Sequence, residues 1–349
     1  MNTIGNIIKL TLFGASHASC VGFELEGVPA GTVIDMEELA FDIKRRSPAA
    51  YGNATPRHEA DEPVIESGIT EGVADGAPIR MSFPNREHNR DEYRPIARPS
   101  HADYAAWVKS DGKEDISGGG RFSGRMTLPL VAAGGICRQM LKKRSIEVFS
   151  HVLAIGDIRD AAFDPVMDNK PEMDPFFPLV DPSKRKWMEE LIKTVRASGD
   201  TLSCEAECAV TGLPVGVGEP LFDGIEGTLS RLLLMVPGRR GVEFGQRHAL
   251  GSQMNDQFTE GGRTVTNFSG GVNGGMTNGM PLVFRAWFRP VPSVHFKQTG
   301  FDLVEKKPVP LTIEGRHDTV ILPRGLVAVE AAAAIGLLDL IMWGDENGK

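Results

Sequence analysis

Gly315-Arg316-His317-Asp318 leads through Leu322-Pro323 into an apolar helical pattern from Leu326 to Met342, and the chain spells those features once before. In the first occurrence, Gly120-Arg121 leads through Leu128-Pro129 into the apolar run Val131 to Leu141. Two further blocks repeat upstream in the same order. Ser67-Gly68-Ile69 through Gly76-Ala77-Pro78-Ile79 is echoed by Ser269-Gly270-Gly271-Val272 through Gly279-Met280-Pro281-Leu282. The strand-then-turn Phe23 to Gly31, followed by an amphipathic stretch from Asp35 to Lys44, is echoed by the strand Cys204 to Val210, the turn Gly212 to Gly216 and a helix from Gly224 to Leu234. Three matched blocks in one order predict an internal duplication. The expected fold is an α/β sandwich: two pseudo-symmetric halves, about 1–157 and 199–349, with helices packed against antiparallel or mixed sheets in a single domain spanning 1–349. The crossover 158–198 has no counterpart. It opens as a loop, with Asp164-Pro165, Asp174-Pro175 and Asp181-Pro182, and returns as a charged helix from about Ser183 to Arg196.

The bulk properties suit that plan. The chain has 349 residues, 41% of them hydrophobic, enough for a large core. Its formal net charge of −8 argues against a surface built for nucleic acid or anionic lipid. Met1 to Phe13 lacks the basic and apolar blocks of a secretion signal, so a cytoplasmic location is expected. The run from Gly325 to Trp343 is long enough to cross a bilayer, but Glu330 and Asp339 interrupt it, which predicts a buried core helix instead. The four cysteines form no disulfide framework. Cys204 and Cys208 alternate with polar residues, which predicts a half-buried strand carrying them inward as small core residues rather than as metal ligands.

Arginine marks the candidate chemistry. Arg45-Arg46 precedes Ser47-Pro48, Arg98 precedes Pro99, Arg121 and Arg125 flank Ser123, Arg239-Arg240 follows Pro237-Gly238, Arg289 precedes Pro290, and Arg316 follows Gly315. A planar guanidinium presents a fork suited to phosphate or carboxylate, so an acidic chain that places arginines at turns is expected to bind a small anion. His17 and His101 stand where strands or loops end, available for proton transfer or for turn structure. Asp318, two residues after Arg316, could act as a base or as a cap and ion-pair partner. Arg57-His58-Glu59 fits no common metal spacing, and no metal is expected. No nucleotide-cradling loop or dinucleotide fingerprint is present.

The same blocks resemble the chorismate synthase family along nearly the whole chain. The matching motifs are Gly-x-Ser-His at 14–17, Arg-Arg-x-Pro at 45–48, Glu59-x-Asp61 with Ser67-Gly68, Arg-Pro-x-His-Ala-Asp at 98–103, and Gly-Gly-Arg-x-Ser-x-Arg-x-Thr at 119–127 with Val131 to Gly134 after it. The second half adds Gly-Leu-Pro-x-Gly-x-Gly-Glu-Pro at 212–220, Gly-Val-Glu-Phe-Gly at 241–245, Ser-Gly-Gly at 269–271 and Gly-Arg-His-Asp at 315–318. The resemblance implies an α/β sandwich with internal pseudo-symmetry, assembled as a homotetramer. It also implies a 1,4-anti-elimination of phosphate from 5-enolpyruvylshikimate 3-phosphate, giving chorismate with reduced FMN as transient electron donor. NADPH would enter only through flavin reduction, by a separate flavin reductase or a reducing cytosol.

Position by position, the resemblance assigns His17 to protonation of the leaving phosphate, His101 to a proton beside the reduced flavin, and Asp318 to removal of the ring proton. It places Arg45, Arg46, Arg98, Arg125 and Arg316 around the substrate's anionic groups. It places Arg121, Phe122, Ser123, Pro237, Gly238, Gly274, Arg289, Pro290, Val291, Pro292, Ser293 and Arg316 in the flavin region. The chain departs from the family where Ala15 replaces Glu, Ala18 and Ser100 replace Gly, Phe122 replaces Ser, Gly124 replaces Ala, Met126 replaces Glu and Thr319 replaces Pro; an arginine near Gly52 is missing. Those departures keep a competing expectation in view: a non-catalytic or altered-substrate paralogue that binds flavin or an anionic ligand.

Overall fold

The computed structural model describes residues 3–51, 61–85, 95–114, 116–313 and 317–347. The chain opens with β1 (Thr3–Ile4), β2 (Lys9–Gly14) and β3 (Cys20–Glu26). Helix α1 (Met36–Arg46) starts where the Asp35 carboxylate accepts the backbone N–H groups of Glu37 and Glu38. Its first turn is acidic and its last carries Lys44, Arg45 and Arg46, matching the helix dipole, and Ser47-Pro48 ends it. Then come β4 (Val64–Ser67), a small hairpin of β5 (Ile69–Thr70) and β6 (Val73–Ala74), and β7 (Ile79–Pro84). Strand β8 (Ile96–Ala97) and helix α2 (Asp103–Lys109) lead to α3 (Thr127–Lys142).

The second part follows with β9 (Glu147–Ile155), β10 (Ile158–Arg159), the crossover helix α4 (Arg185–Ser198), β11 (Cys204–Thr211), α5 (Ile225–Met235) and β12 (Arg239–Phe244). A one-turn helix α6 (Gly251–Met254), the hairpin β13 (Val272–Asn273) and β14 (Met276–Thr277), β15 (Leu282–Phe288), β16 (Gln298–Asp302), β17 (Lys307–Leu311) and the long helix α7 (Leu326–Glu346) complete it.

Two five-stranded sheets result, ordered β1-β2-β3-β7-β4 and β10-β9-β11-β15-β12. Every pairing in both is antiparallel. Place for place, β9, β11, β15 and β12 match β2, β3, β7 and β4, so β9 and β10 lie in the second sheet although they precede the crossover. The helices form the layer between. Helix α3 packs on β3, α7 packs on β9, and α3 and α7 pack on each other at the centre with α1 and α5 alongside. Gly134 sets their approach: a Cβ there would lie 2.3 Å from the Ala331 Cβ and 2.5 Å from its Cα. A three-stranded sheet, β17-β16-β8, joins the end of the chain back to its first part.

Helix α7 is buried from Leu326 to Ile341, as a core helix should be. Its two buried carboxylates, Asp339 and Glu330, show how it tolerates that burial. Asp339 accepts the backbone N–H groups of Asn6, Ile7 and Ile8 at 2.7–3.0 Å. Glu330 accepts from Arg45, Arg138 and Ser150. Cys204 and Cys208 are buried core residues of β11. The opposite face of that strand is not the open surface its polar residues predict: Glu207 is only 1% exposed, because the crossover packs over it and the Phe163 N–H bonds its carboxylate at 2.6 Å.

Candidate active site

Six chain segments close around a cavity of about 470 Å³. They are the last turn of α1, the bend before α2, the tight turns before α3, the α5–β12 junction, the loop after β15 and the segment leading into α7. Both sheets therefore feed one site, as expected where loops carry function on a packed scaffold. Of the residues singled out from sequence, the cavity collects Arg46, His101, Arg121, Phe122, Ser123, Pro237, Gly238, Arg289, Pro290, Val291, Pro292, Ser293 and Asp318. Ser123 caps the turn before α3, its side chain accepting the Arg125 N–H. Gly238 holds φ +81°, and a Cβ there would strike Ile321 at 2.5 Å, so this bend requires glycine.

Arg46 enters from the last turn of α1. Its Nε donates to Thr127 Oγ1 at 3.1 Å and its Nη1 to Asp61 at 3.2 Å. Asp61 also pairs with Arg125. Arg125 in turn donates through Nε to Asn85 Oδ1 at 3.1 Å, and the Asn85 amide donates to the carbonyls of Ala15 and Ala18. Those two carbonyls bracket His17, so one hydrogen-bonded chain runs from the cavity wall to the His17 turn. The Ser16 N–H donates to Gly120 O at 3.2 Å and ties that turn to the loop before α3. Burial pushes the Arg46 guanidinium down to about 9, a shift that Asp61 opposes and that Arg324 and Arg125 reinforce. Such crowding of cations favours an anion beside them.

His101 belongs to a second cluster. Its Nδ1 lies 2.6 Å from Asp103 Oδ1. Asp103 also accepts from Arg98 three times: Nε at 2.7 Å, Nη2 at 2.9 Å and the backbone N–H at 3.1 Å. Burial alone would raise the Asp103 carboxyl; the hydrogen bonds from Arg98 and His101 outweigh it and hold the group well below the usual carboxylate range. Ser100, next to His101, has φ +59°, a left-handed conformation that costs a side chain about 1 kcal/mol. Arg289 braces this bend, donating through Nη1 to Ser100 O at 2.9 Å.

Asp318 is ion-paired with Arg324, and both residues line the cavity and the smaller cleft behind it. Arg239 and Arg240 add two more guanidiniums to the lining. Arg239 lies over the Phe288 ring at 4.3 Å, and all three of its side-chain nitrogens are buried without a hydrogen-bond partner among the described residues. Burial lowers it to about 9.

Other singled-out residues lie apart from the cavity lining. Arg45 turns into the core, bound to Glu330 and Asp42 and to the Pro175 carbonyl. Arg98 and Arg125 are held in the two clusters just described. Gly274 turns the β13–β14 hairpin at φ +62° and is not among the lining residues. Arg316 lies outside the described residues, as do Arg57, His58 and Glu59. Phe122 is 45% exposed and, with Arg121, Met235 and Pro237, lines both this cavity and a neighbouring groove. Among the residues the structure adds, Arg324 carries the same signal as the others, an arginine beside a proline. Asn85 carries no local signal, since its partners are Ala15, Ala18 and Arg125.

The comparisons agree with this architecture. The chorismate synthase family profile matches residues 8–342. A chorismate synthase of Methanobrevibacter smithii is 38% identical over 350 residues, covering 97% of this chain and 95% of the relative. One from Dehalococcoides mccartyi is 38% identical over 98% of this chain and 96% of its own length. One from Thermococcus gammatolerans is 37% identical, with 97% of each chain covered. A solved structure described as a chorismate synthase crystal structure shares the fold, with a TM-score of 0.75 at 24% identity over 97% of this chain and 93% of that one.

Proposed function

The chain belongs to the chorismate synthase family, and from that membership we propose that it carries out the family's elimination in the cavity shared by Arg46, His101 and Asp318. The chain is a carbon–oxygen lyase that converts 5-enolpyruvylshikimate 3-phosphate to chorismate with loss of phosphate and a ring proton. The observation that carries the assignment of the cavity is its charge. Arg46, Arg121, Arg239, Arg240, Arg289 and Arg324 line it, against the single carboxylate of Asp318 among the described lining residues. A site with that imbalance suits a polyanion.

Reduced FMN, when bound, supplies a transient electron to the substrate ring without net redox change. The residues fit such a ligand: Arg121, Phe122, Ser123, Pro237, Gly238 and Arg289 to Ser293 share the cavity, and Arg239, buried and without a hydrogen-bond partner among the described residues, favours a nearby anionic group. Arg46, with Arg316 and Arg324, holds the substrate's anionic groups. Arg125 supports Arg46 through Asp61, while Arg45 and Arg98 serve as fixed braces. His17 protonates the departing phosphate, His101 holds a proton on the flavin side, and Asp318 accepts the ring proton once Arg324 yields it. The cytoplasm, a homotetramer and a separate NADPH-dependent flavin reductase complete the reading. Leu221 and Phe222, 86% and 90% exposed, leave apolar surface that a further subunit would cover.

Anaerobic turnover with chemically reduced FMN and 5-enolpyruvylshikimate 3-phosphate tests it, following chorismate absorbance and phosphate release. Equal amounts of both products are expected. No product at saturating flavin and substrate would favour a non-catalytic or altered-substrate paralogue, with Phe122 the first residue to restore to serine.

A further inference from the structure

We propose that Asp103 is a positioning residue for His101, holding the imidazole in the Nδ1–H tautomer so that Nε2 is the nitrogen left to exchange protons in the cavity. This rests on the assignment of His101 to proton transfer made above. A carboxylate can only accept, so a ring nitrogen 2.6 Å from Asp103 Oδ1 must carry the proton; Arg98 Nη2, 3.0 Å from Nδ1 and 3.4 Å from Nε2, has its own acceptor in Asp103 Oδ1 at 2.9 Å and does not compete for Nδ1. Asp103 is 2% exposed and cannot swing away to water. Its other oxygen is committed, because Oδ2 accepts both the Arg98 Nε and the Arg98 backbone N–H. The carboxylate is therefore fixed in plane, and the histidine must follow it. On the far edge of the ring, the position of a Gly119 Cβ would fall 3.8 Å from Nε2, and Gly119 lines the cavity. The arrangement has the form of a carboxylate orienting a general acid–base histidine.

The two oxygens of Asp103 make an amide substitution diagnostic. In Asp103→Asn the amide oxygen is expected at the Oδ2 position, where two Arg98 donors point, against the one Arg98 donor, Nη2, that shares Oδ1 with His101. The NH₂ then faces His101 Nδ1 and donates to it, which forces the proton onto Nε2 and displaces Arg98 Nη2 from that position. The fold and the charge of Arg98 are kept, but the cavity-side nitrogen is blocked.

The test combines ¹⁵N NMR of histidine-labelled protein with kinetics of Asp103→Asn. The unmodified chain is expected to show His101 protonated at Nδ1 when neutral, and the variant at Nε2. The variant's kcat should fall at least about 10²-fold, with substrate KM and FMN affinity, read by flavin fluorescence, within about twofold. A purely structural role for Asp103 would instead move KM and flavin affinity together with kcat. An Nε2–H tautomer in the unmodified chain overturns the proposal even if the variant does not fold, and so does a variant with unchanged kcat. His101→Ala separates the two claims: normal turnover in that variant removes His101 from the reaction, whereas impaired turnover beside a fully active Asp103→Asn removes only Asp103.

Discussion

Arg45 on α1 and Glu330 on α7 form a two-pronged ion pair inside the core, with Nη1–Oε2 at 2.7 Å and Nη2–Oε1 at 2.9 Å. Asp42 and Arg138 extend it, so the charges balance within the helical layer. Removing Glu330 would leave the buried Arg45 with Asp42 as its carboxylate partner, shared with the half-buried Arg138. Glu330→Ala is expected to cost about 3–5 kcal/mol in urea unfolding. The pair is also acid-sensitive. Burial would raise the Glu330 carboxyl, but Arg45 and Arg138 bring it down to about 2 from an ordinary 4.5. A depressed folded value contributes stability that is present above pH 4.5 and is lost as pH falls toward 2. The wild-type urea midpoint should drop across that window more steeply than that of Glu330→Gln.

His151 makes the opposite prediction. It is fully buried between Asp160 (Nδ1–Oδ2 3.0 Å) and Glu207 (Nε2–Oε2 3.2 Å), and two carboxylate partners require both ring nitrogens to donate. Burial lowers its affinity for the proton, but the two carboxylates outweigh burial and raise it above the ordinary 6.5. The resulting stability is present below pH 6.5 and lost as pH rises through the folded value. Asp160 also accepts the Val180 and Asp181 N–H groups, so the crossover segment is what loosens. Hydrogen exchange at those two amides should accelerate between neutral and alkaline pH, and His151→Gln should show fast exchange throughout, with about 1–3 kcal/mol lost.

Gly134 limits how close α3 and α7 can lie. Gly134→Ala would bring a methyl within 2.3 Å of Ala331 Cβ and 2.8 Å of its carbonyl. Overpacking of this kind costs about 1–3 kcal/mol. Adding Ala331→Gly should recover only part of the loss in thermal melts, because the Ala331 Cα is itself 2.5 Å away. Full recovery would mean that the two backbones can separate freely.

Arg46 should matter for ligand rather than for fold. In Arg46→Met, Asp61 keeps its pairing with Arg125, so folding should survive. A lost charge-assisted contact to the substrate is worth about 1.5–3 kcal/mol, so affinity measured by titration calorimetry should weaken by about 10- to 150-fold. Unchanged affinity would move the anion site away from this wall.

Much of the architecture is legible in the sequence because it rests on short-range physics. Period-2 and helical patterns mark β11, α3 and α7, and Asp35 and Ser47-Pro48 mark the ends of α1. The carboxylates of Glu330 and Asp339 distinguish a core helix from a membrane span, since a buried charge needs partners that lipid cannot supply. The partners themselves depend on the tertiary structure. Arg45 and Arg46 are adjacent in sequence, but consecutive residues on a helix point about 100° apart. One therefore enters the core to meet Glu330, and the other reaches the cavity beside Asp61. Composition at 45–46 contains nothing to separate them. The same holds for Asn85, whose partners lie 40 residues or more away along the chain, and for Glu207, which alternation assigns to a surface and the crossover covers. Local pattern determines which elements form; the pairing of side chains brought together from distant segments determines which arginine braces the fold and which faces the ligand.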